Sequence, residues 1–278
     1  MVDRRDFLRM SAGLAFGAAG VEAAARSDAS DGGIRRYVRL GRTEMKISDI
    51  SFGSSSSSDS ELVQHALARG VNYFDTAESY RWGSSEEAIG QALRGKRDRV
   101  YLASKTKAGA SETRADMMQA LEGSLKRLRT EYLDVYFNHS VNDVARMQNQ
   151  EWWEFTELAK RQGKIRFRGM SGHGSQLTEC LDYAIDHDLA DVILVAYNFG
   201  QDPTFVDRLR HTFHWAAIQT DLPRVLAKAK QKDVGVVAMK TLMGAKLNDM
   251  RRFEKGGYTF SQAAFRWVLS GPHVDALI

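Results

Sequence analysis

The sequence predicts a parallel α/β protein of the (β/α)8 (TIM) barrel class with an N-terminal β-hairpin. Two observations predict it. Short β-branched and apolar runs alternate with amphipathic stretches of helical period, giving seven β-α steps and the start of an eighth strand in about 250 residues. The chemistry-bearing residues fall just after the apolar runs, at the carboxyl ends of strands, where such barrels carry their sites. A doubly wound sheet is the rival. It would want a Gly-x-Gly-x-x-Gly turn after a first strand, and the sequence has none.

The elements follow in order. Arg36–Gly41 and Met45–Ser48 alternate by twos around a polar turn, which predicts the hairpin. Ile47–Gly53 reads as the first barrel strand, and the serine run Ser54–Ser58 as a βα loop before a helix at Glu61–Leu67 with His65 on its surface. Val71–Phe74 is a second strand. The following helix starts at Gly83, with Ser84 and Glu87 spaced as a capping box. Arg99–Lys107 and Glu131–His139 are strands around a helix at Asp116–Leu128, whose Met117, Leu121, Leu125 and Leu128 share one face. Trp152–Lys160 is helical and ended by Gly163. Strands at Lys164–Ser171, Asp191–Tyr197 and Val234–Met239 alternate with helices at Leu177–Ile185 and Leu222–Lys230. A helix at Ser261–Leu269 precedes the last strand, Val274–Ile278. A closed barrel ordinarily carries a helix after its eighth strand. The chain reads as truncated there, so Leu62 and Leu67 of the first helix are expected to lose cover.

Composition narrows the function classes. A chain of 278 residues, 43% hydrophobic, has core enough for one domain. A formal charge of +4 is mild, and no arginine cluster alternates with exposed aromatics, so nucleic acid is not an expected partner. The single cysteine, Cys180, excludes an intramolecular disulfide and a cysteine-ligated cluster; it lies in a helical pattern and reads as core. No His/Asp/Glu spacing suggests a metal.

Residues 1–25 stand apart. Arg4-Arg5-Asp6-Phe7-Leu8 precedes a Gly/Ala-rich stretch from Ser11 to Val21 and a small-residue cleavage pattern at Ala23–Ala25. The paired arginines before Phe-Leu resemble a bacterial twin-arginine signal, implying the twin-arginine machinery as partner and a periplasmic location. A short N-terminal helix or tail is the alternative. The apolar run is too short and too rich in Gly and Ala to span a bilayer stably. Residues 26–34 read as a linker and 35–278 as the barrel.

The richest segment is Gly70-Val71-Asn72-Tyr73-Phe74-Asp75-Thr76-Ala77-Glu78-Ser79-Tyr80: a buried strand ending in an acid, with a tyrosine five residues on. The next two strands end at Lys105 and His139. One charged residue at a strand end is ordinarily just solvated, but four complementary groups in succession are a stronger signal. Tyr73 and Phe74 read as core. Trp152 and Trp153 leave packing and substrate wall equally open. Trp82, two residues after Tyr80, is the preferred substrate-contacting aromatic, and His173 reads as an exposed loop histidine.

The Gly, Asn-Tyr-Phe-Asp-Thr-Ala, Tyr pattern closely resembles the signature of the aldo-keto reductases. The resemblance extends to Gly163–Arg166 with Gly169 and Ser171, and to Val236–Gly244, and covers nearly all of Arg36–Ile278. It implies reversible reduction of an aldehyde or ketone by NADP(H) without metal, with hydride passing to the carbonyl carbon and a tyrosine protonating the oxygen. On that pattern Tyr80 is the proton donor and Lys105 eases formation of its phenolate. Asp75 keeps Lys105 charged, and His139 orients the carbonyl. Cofactor contacts are implied at Gly53, Ser54, Ser171, Lys240, Thr241, Leu242 and Gly244. The pattern departs at Gly172, Leu194 and Met239, where the family usually has an asparagine, a glutamine and a stacking aromatic. The family's loop for the adenosine 2′-phosphate lies beyond the eighth strand. The alternative function is a nucleotide-binding sensor subunit on the same barrel, with little turnover.

Overall fold

Residues 32–201, 219–242 and 256–278 are described in the computed structural model. The export-signal reading of residues 1–25, and most of the linker reading, fall outside them. An antiparallel hairpin of β1 (Tyr37–Arg39) and β2 (Lys46–Ser48) pairs Tyr37 with Ser48 and Arg39 with Lys46. Eight parallel strands follow: β3 (Phe52–Gly53), β4 (Tyr73–Asp75), β5 (Tyr101–Thr106), β6 (Leu133–Asn138), β7 (Ile165–Gly172), β8 (Val192–Ala196), β9 (Gly235–Met239) and β10 (Ala276–Leu277). Each pairs with the next in chain order. The two ends meet through an Ile50–Leu277 bridge, where the Ser51 N–H donates to the Leu277 carbonyl at 2.8 Å and the Leu277 N–H to the Asp49 carbonyl at 2.9 Å. The sheet closes on itself, as a (β/α)8 barrel requires.

Among the described residues the helices between the strands are α1 (Ser60–Ala68), α2 (Ser84–Ala92), α3 (Arg114–Leu128), α4 (Ala145–Gln148), α5 (Gln150–Arg161), α6 (Leu177–Asp186), α7 (Leu222–Gln231) and α8 (Phe260–Leu269). Strand alternation divides the apolar residues into two layers. Tyr73, Val135, Phe137, Leu194 and Val237 point inward and form one core cluster; Phe74, Tyr136, Ile193 and Val236 point outward against the helices. Leu40, Met45 and Ile47 of the hairpin join the inner cluster. The hairpin turn donates from the Arg42 N–H to the Asp233 carbonyl just before β9, and Ser48 pairs with Asn72 just before β4. The hairpin therefore plugs the barrel at the amino ends of its strands and leaves the carboxyl ends for chemistry.

An aspartate is repeated at that plugged end. Asp134, Asp191 and Asp275 each stand at the foot of one strand and accept the backbone N–H of the strand before, from Leu102 at 2.9 Å, Arg168 at 3.1 Å and Val236 at 2.8 Å. A barrel's stagger leaves these donors without a ladder partner, and a buried N–H must find one. Each carboxylate also meets a cation: Arg97 and Arg166 on Asp134, Lys160 on Asp191, Lys230 on Asp275.

Three expectations are corrected. Ile47 does not begin a barrel strand; it pairs with Val38 in the hairpin, and the Asp49 carboxylate accepts the Ile50 N–H at 2.9 Å, breaking the chain before the short β3. The Ser84–Glu87 capping box does not form, because the chain enters α2 through a left-handed turn and Ser84 is already helical; its hydroxyl donates back to the Arg81 carbonyl at 2.7 Å. Leu62 is 46% exposed, as expected, but Leu67 is half-buried against the outer core.

Asp134→Ala should orphan the Leu102 N–H and two guanidinium contacts, costing about 2–3 kcal/mol. Urea unfolding measures it; a loss below 0.5 kcal/mol, the ordinary scatter of surface changes, would remove the clamp from the account of the fold.

Candidate active site

β4 ends in Asp75, and the chain beyond it stays laced to β5. The Thr76 N–H donates to the Ala103 carbonyl at 3.0 Å and the Glu78 N–H to the Lys105 carbonyl at 3.3 Å; the Tyr80 N–H then turns back to the Ala77 carbonyl. This lacing returns Tyr80 over the barrel mouth above β5. The turn continues with Arg81 at φ +49°, Trp82 at φ +59° and Gly83 at φ +89°, two side-chain-bearing residues in a region that favours glycine. At the end of β5, the Thr106 hydroxyl donates to the Glu78 carboxylate at 2.6 Å and the Thr106 carbonyl accepts the His139 N–H at 2.8 Å. Three neighbouring strand ends are thus stitched together.

The stitching brings Asp75, Tyr80, Lys105 and His139 into one cluster. Lys105 is fully buried and Asp75 is 1% exposed; the ammonium donates to the Asp75 carboxylate and to the Thr76 carbonyl, the latter at 2.5 Å. The same ammonium lies 4.8 Å from the centre of the Tyr80 ring. The His139 ring meets Tyr80 edge-on, with centroids 5.5 Å apart at 81°. Burial raises the Asp75 carboxyl while Lys105 pulls it down. Burial, against the pull of Lys105, leaves the Tyr80 phenol above its ordinary value. The expected net easing of the phenolate by Lys105 is therefore outweighed, because the phenol has lost water and also faces the Asp75 charge. Burial and then the charges of Lys105, Lys107, His173 and Arg146 lower His139 to about 3, so its imidazole is neutral.

The residues expected at a cofactor lie at the same end of the barrel. Gly53 ends β3 and is exposed, with Ile278 beside it. Ser54 is buried, and its hydroxyl donates to the Asp75 carbonyl at 2.9 Å, so it braces β4. Ser171 is buried at the end of β7, with its oxygen accepting the Ser140 N–H at 3.0 Å. Lys240 follows β9 at φ +56°, exposed and in no ion pair among the described residues; Thr241 is buried and Leu242 partly so. Gly244 lies outside the described residues. A Cβ at Gly172 would meet the Val141 carbonyl at 2.9 Å and Leu177 at 2.6 Å, which is why no asparagine stands there. Leu194 and Met239 pack in or against the inner core.

Trp82 is fully exposed to solvent. The open question over Trp152 and Trp153 is decided for packing: Trp152 is buried against Phe155, and Trp153 lies under the Arg168 guanidinium at 3.8 Å. Cys180 is buried, and burial pushes its thiol up to about 11. His173 is exposed, with Nε2 3.1 Å from the Ser140 hydroxyl. Two residues were not singled out from sequence: Glu78, which pins Thr106, and Arg146, which reaches both strand ends. Glu78 lies within the signature segment and was visible there; no local pattern marks Arg146.

Residues 44–278 match the model of the aldo/keto reductase family. The chain belongs to the aldo/keto reductase family. The methylglyoxal reductase YeaE of Escherichia coli is 34% identical over 226 residues, 77% of this chain and 72% of YeaE. An uncharacterized oxidoreductase of Bacillus subtilis, YqkF, is 32% identical over 49% of this chain; there the match spans about half of the relative, 48% of its length. Among solved structures, an aldo/keto reductase from Klebsiella pneumoniae in complex with NADP and acetate superposes with a TM-score of 0.64 at 27% identity, covering 88% of this chain and 85% of that one.

His139 carries a prediction about stability. Its imidazole is neutral when folded, while an unfolded histidine takes a proton near pH 6.5, so between about 3 and 6.5 the unfolded state binds more protons. The stability it contributes is present above pH 6.5 and is lost as the pH falls toward 3, with a slope of at most ~1.4 kcal/mol per pH unit. Urea titrations across this range should show a shallower slope for His139→Gln than for the wild type. Equal slopes would mean that His139 is not held neutral.

Proposed function

We propose that the chain is an NAD(P)-dependent carbonyl reductase that converts aldehydes or ketones to alcohols. The observation that carries this reading is the buried Asp75–Lys105 pair lying beneath the Tyr80 ring, with His139 edge-on beside it. A phenol held above its ordinary value is protonated at neutral pH, so the donor form is the populated one. Lys105 then favours the phenolate left behind when the proton goes to the carbonyl oxygen. The neutral His139 donates a hydrogen bond to that oxygen and orients it, stabilising the charge that develops there. Both groups act on the same oxygen, so the carbonyl carbon is left open to the other side of the cleft.

The residues fit a bound NADP(H). Lys240, in no ion pair among the described residues, follows β9, and the Ser171 hydroxyl ends β7, both on the side of the barrel that carries Tyr80. Lys240, with the backbone of Thr241 and Leu242, would hold phosphate; Ser171 would hold the nicotinamide carboxamide, and Gly53 and Ser54 stand at the end of β3 beside the end of β4. When bound, the cofactor supplies the hydride. Trp82, fully exposed beside the tyrosine, is the surface a substrate would cover. The family likeness and the NADP found in the Klebsiella structure support this reading.

Tyr80→Phe removes only the phenolic proton. It should lower carbonyl-dependent NADPH oxidation roughly 10²–10⁴-fold while leaving NADPH affinity in a fluorescence titration intact. Lys105→Met should lose activity and also about 3–5 kcal/mol of stability, because Asp75 is left buried without its partner. Wild-type turnover in Tyr80→Phe would take the tyrosine out of the donor role. Tight NADPH binding without turnover of any aldehyde or ketone would favour a sensor subunit instead.

A second part of the proposal is export to the periplasm by the twin-arginine route, supported by Arg4-Arg5-Asp6-Phe7-Leu8 and the Gly/Ala-rich stretch after it. Replacing Arg4 and Arg5 with lysine should trap the protein, uncut, in the cytoplasm. Unchanged export in cell fractionation would defeat this.

A further inference from the structure

Arg146, on the short helix α4, makes four hydrogen bonds with one guanidinium. Its Nε donates to the Ala108 carbonyl at 2.8 Å, in the chain leaving β5. One terminal nitrogen donates to the Ser140 carbonyl at 2.9 Å; the other donates to the Asn138 side-chain oxygen at 2.7 Å and to the His139 carbonyl at 3.0 Å, all three at the end of β6. Arg146 forms no ion pair among the described residues, so its charge is not spent on a carboxylate. We propose that Arg146 is the positioning residue of this site: its guanidinium ties the chain leaving β5 to the chain leaving β6 and so fixes His139 relative to Lys105.

The inference rests on the carbonyl-reductase reading and adds a residue that touches neither substrate nor cofactor. His139 is gripped on both sides of its backbone, its N–H by the Thr106 carbonyl and its carbonyl by Arg146. Among the described residues its ring has two contacts of its own: Nδ1 is 3.5 Å from the Ser79 hydroxyl, and the ring meets Tyr80 edge-on. Acceptors lying in several directions around one donor group suit a planar fork of five N–H bonds and not a single ammonium. The same charge works through space. The cations facing His139 are Lys105 and Lys107 from β5 and the segment just past it, and Arg146 from α4, with His173 facing it from the loop after β7; together with burial they keep its imidazole neutral.

The test combines a histidine titration with steady-state kinetics. In Arg146→Met, the His139 ring followed by NMR should titrate at higher pH than in the wild type. The kcat with NADPH and propanal should fall roughly 10- to 100-fold, the penalty expected of a displaced reacting group, with NADPH affinity unchanged. Arg146→Lys keeps the charge and loses the fork, so His139 should titrate as in the wild type while kcat recovers only in part. Wild-type kcat and an unmoved His139 titration in Arg146→Met would overturn the proposal. If that variant does not fold, Arg146→Lys decides: a reduced kcat with NADPH affinity unchanged supports the proposal, and wild-type kcat overturns it. A wild type that oxidises NADPH with no carbonyl would sink the reductase reading alone, because the titration needs no turnover.

Discussion

The site depends on one buried ion pair. Burying an ammonium and a carboxylate costs several kcal/mol per ion, and removing Lys105 and Asp75 together from water is offset, among the described residues, by their contact, by the Thr76 carbonyl and by the Tyr80 ring. A matched apolar pair in their place would be expected to be neutral or stabilising. The pair is therefore poorly explained as a stability device. What it maintains is a fixed positive charge 4.8 Å from the Tyr80 ring centre, in a region too dry for water to screen it. Its backbone consequences are wide. The Thr76 carbonyl is held by Lys105 while the Thr76 N–H is held by Ala103, so the chain leaving β4 cannot drift from β5.

The barrel separates the tasks of folding and chemistry along its axis. At the amino ends the hairpin contributes Leu40, Met45 and Ile47 to the inner core, and aspartates satisfy the strand feet. At the carboxyl ends the inward-facing positions change from Tyr73 to Asp75 and from Ala103 to Lys105 within two residues of the same strands. Strand alternation makes this change cheap, since moving along one face by two residues passes from packed interior to mouth without altering the outer layer. The outer layer of Phe74 and Tyr136 continues unbroken against the helices.

Much of this was legible in the sequence because it depends on period and order. Eight apolar runs, seven intervening helical patterns and the order Asp75, Tyr80, Lys105, His139 need no tertiary knowledge. The failures share a cause: each depends on a contact that composition does not encode. Ile47 is as apolar as a barrel strand requires, but Asp49 turns the chain after it. Ser84 and Glu87 have capping-box spacing, but Arg81 and Trp82 adopt left-handed backbone that places Ser84 one position too far into the helix. The asparagine missing at 172 is a matter of the Val141 carbonyl. Arg146 carries no mark of its own in the sequence until the ends of β5 and β6 meet around it.

The direction of the Tyr80 shift shows how the site's charges are weighed. Lys105, Lys107 and Arg146 gather near His139, and Lys240 bears on His173. Such a field should lower an acidic phenol, yet burial and Asp75 leave Tyr80 raised. For a proton donor, the role proposed for Tyr80, this balance is useful. A phenol lowered to neutrality would spend part of its time without the proton it must give, whereas a raised one holds its proton until a carbonyl oxygen begins to carry negative charge. At that point the cations act on the oxygen and the phenolate together, and their effect is realised in the transition state and not in the resting site. Holding His139 neutral serves the same end, because a second charged acid beside the oxygen would compete with Tyr80 for the transfer. On the proposed reading the cluster is organised so that Tyr80 would give the proton and His139 would only align the oxygen that receives it.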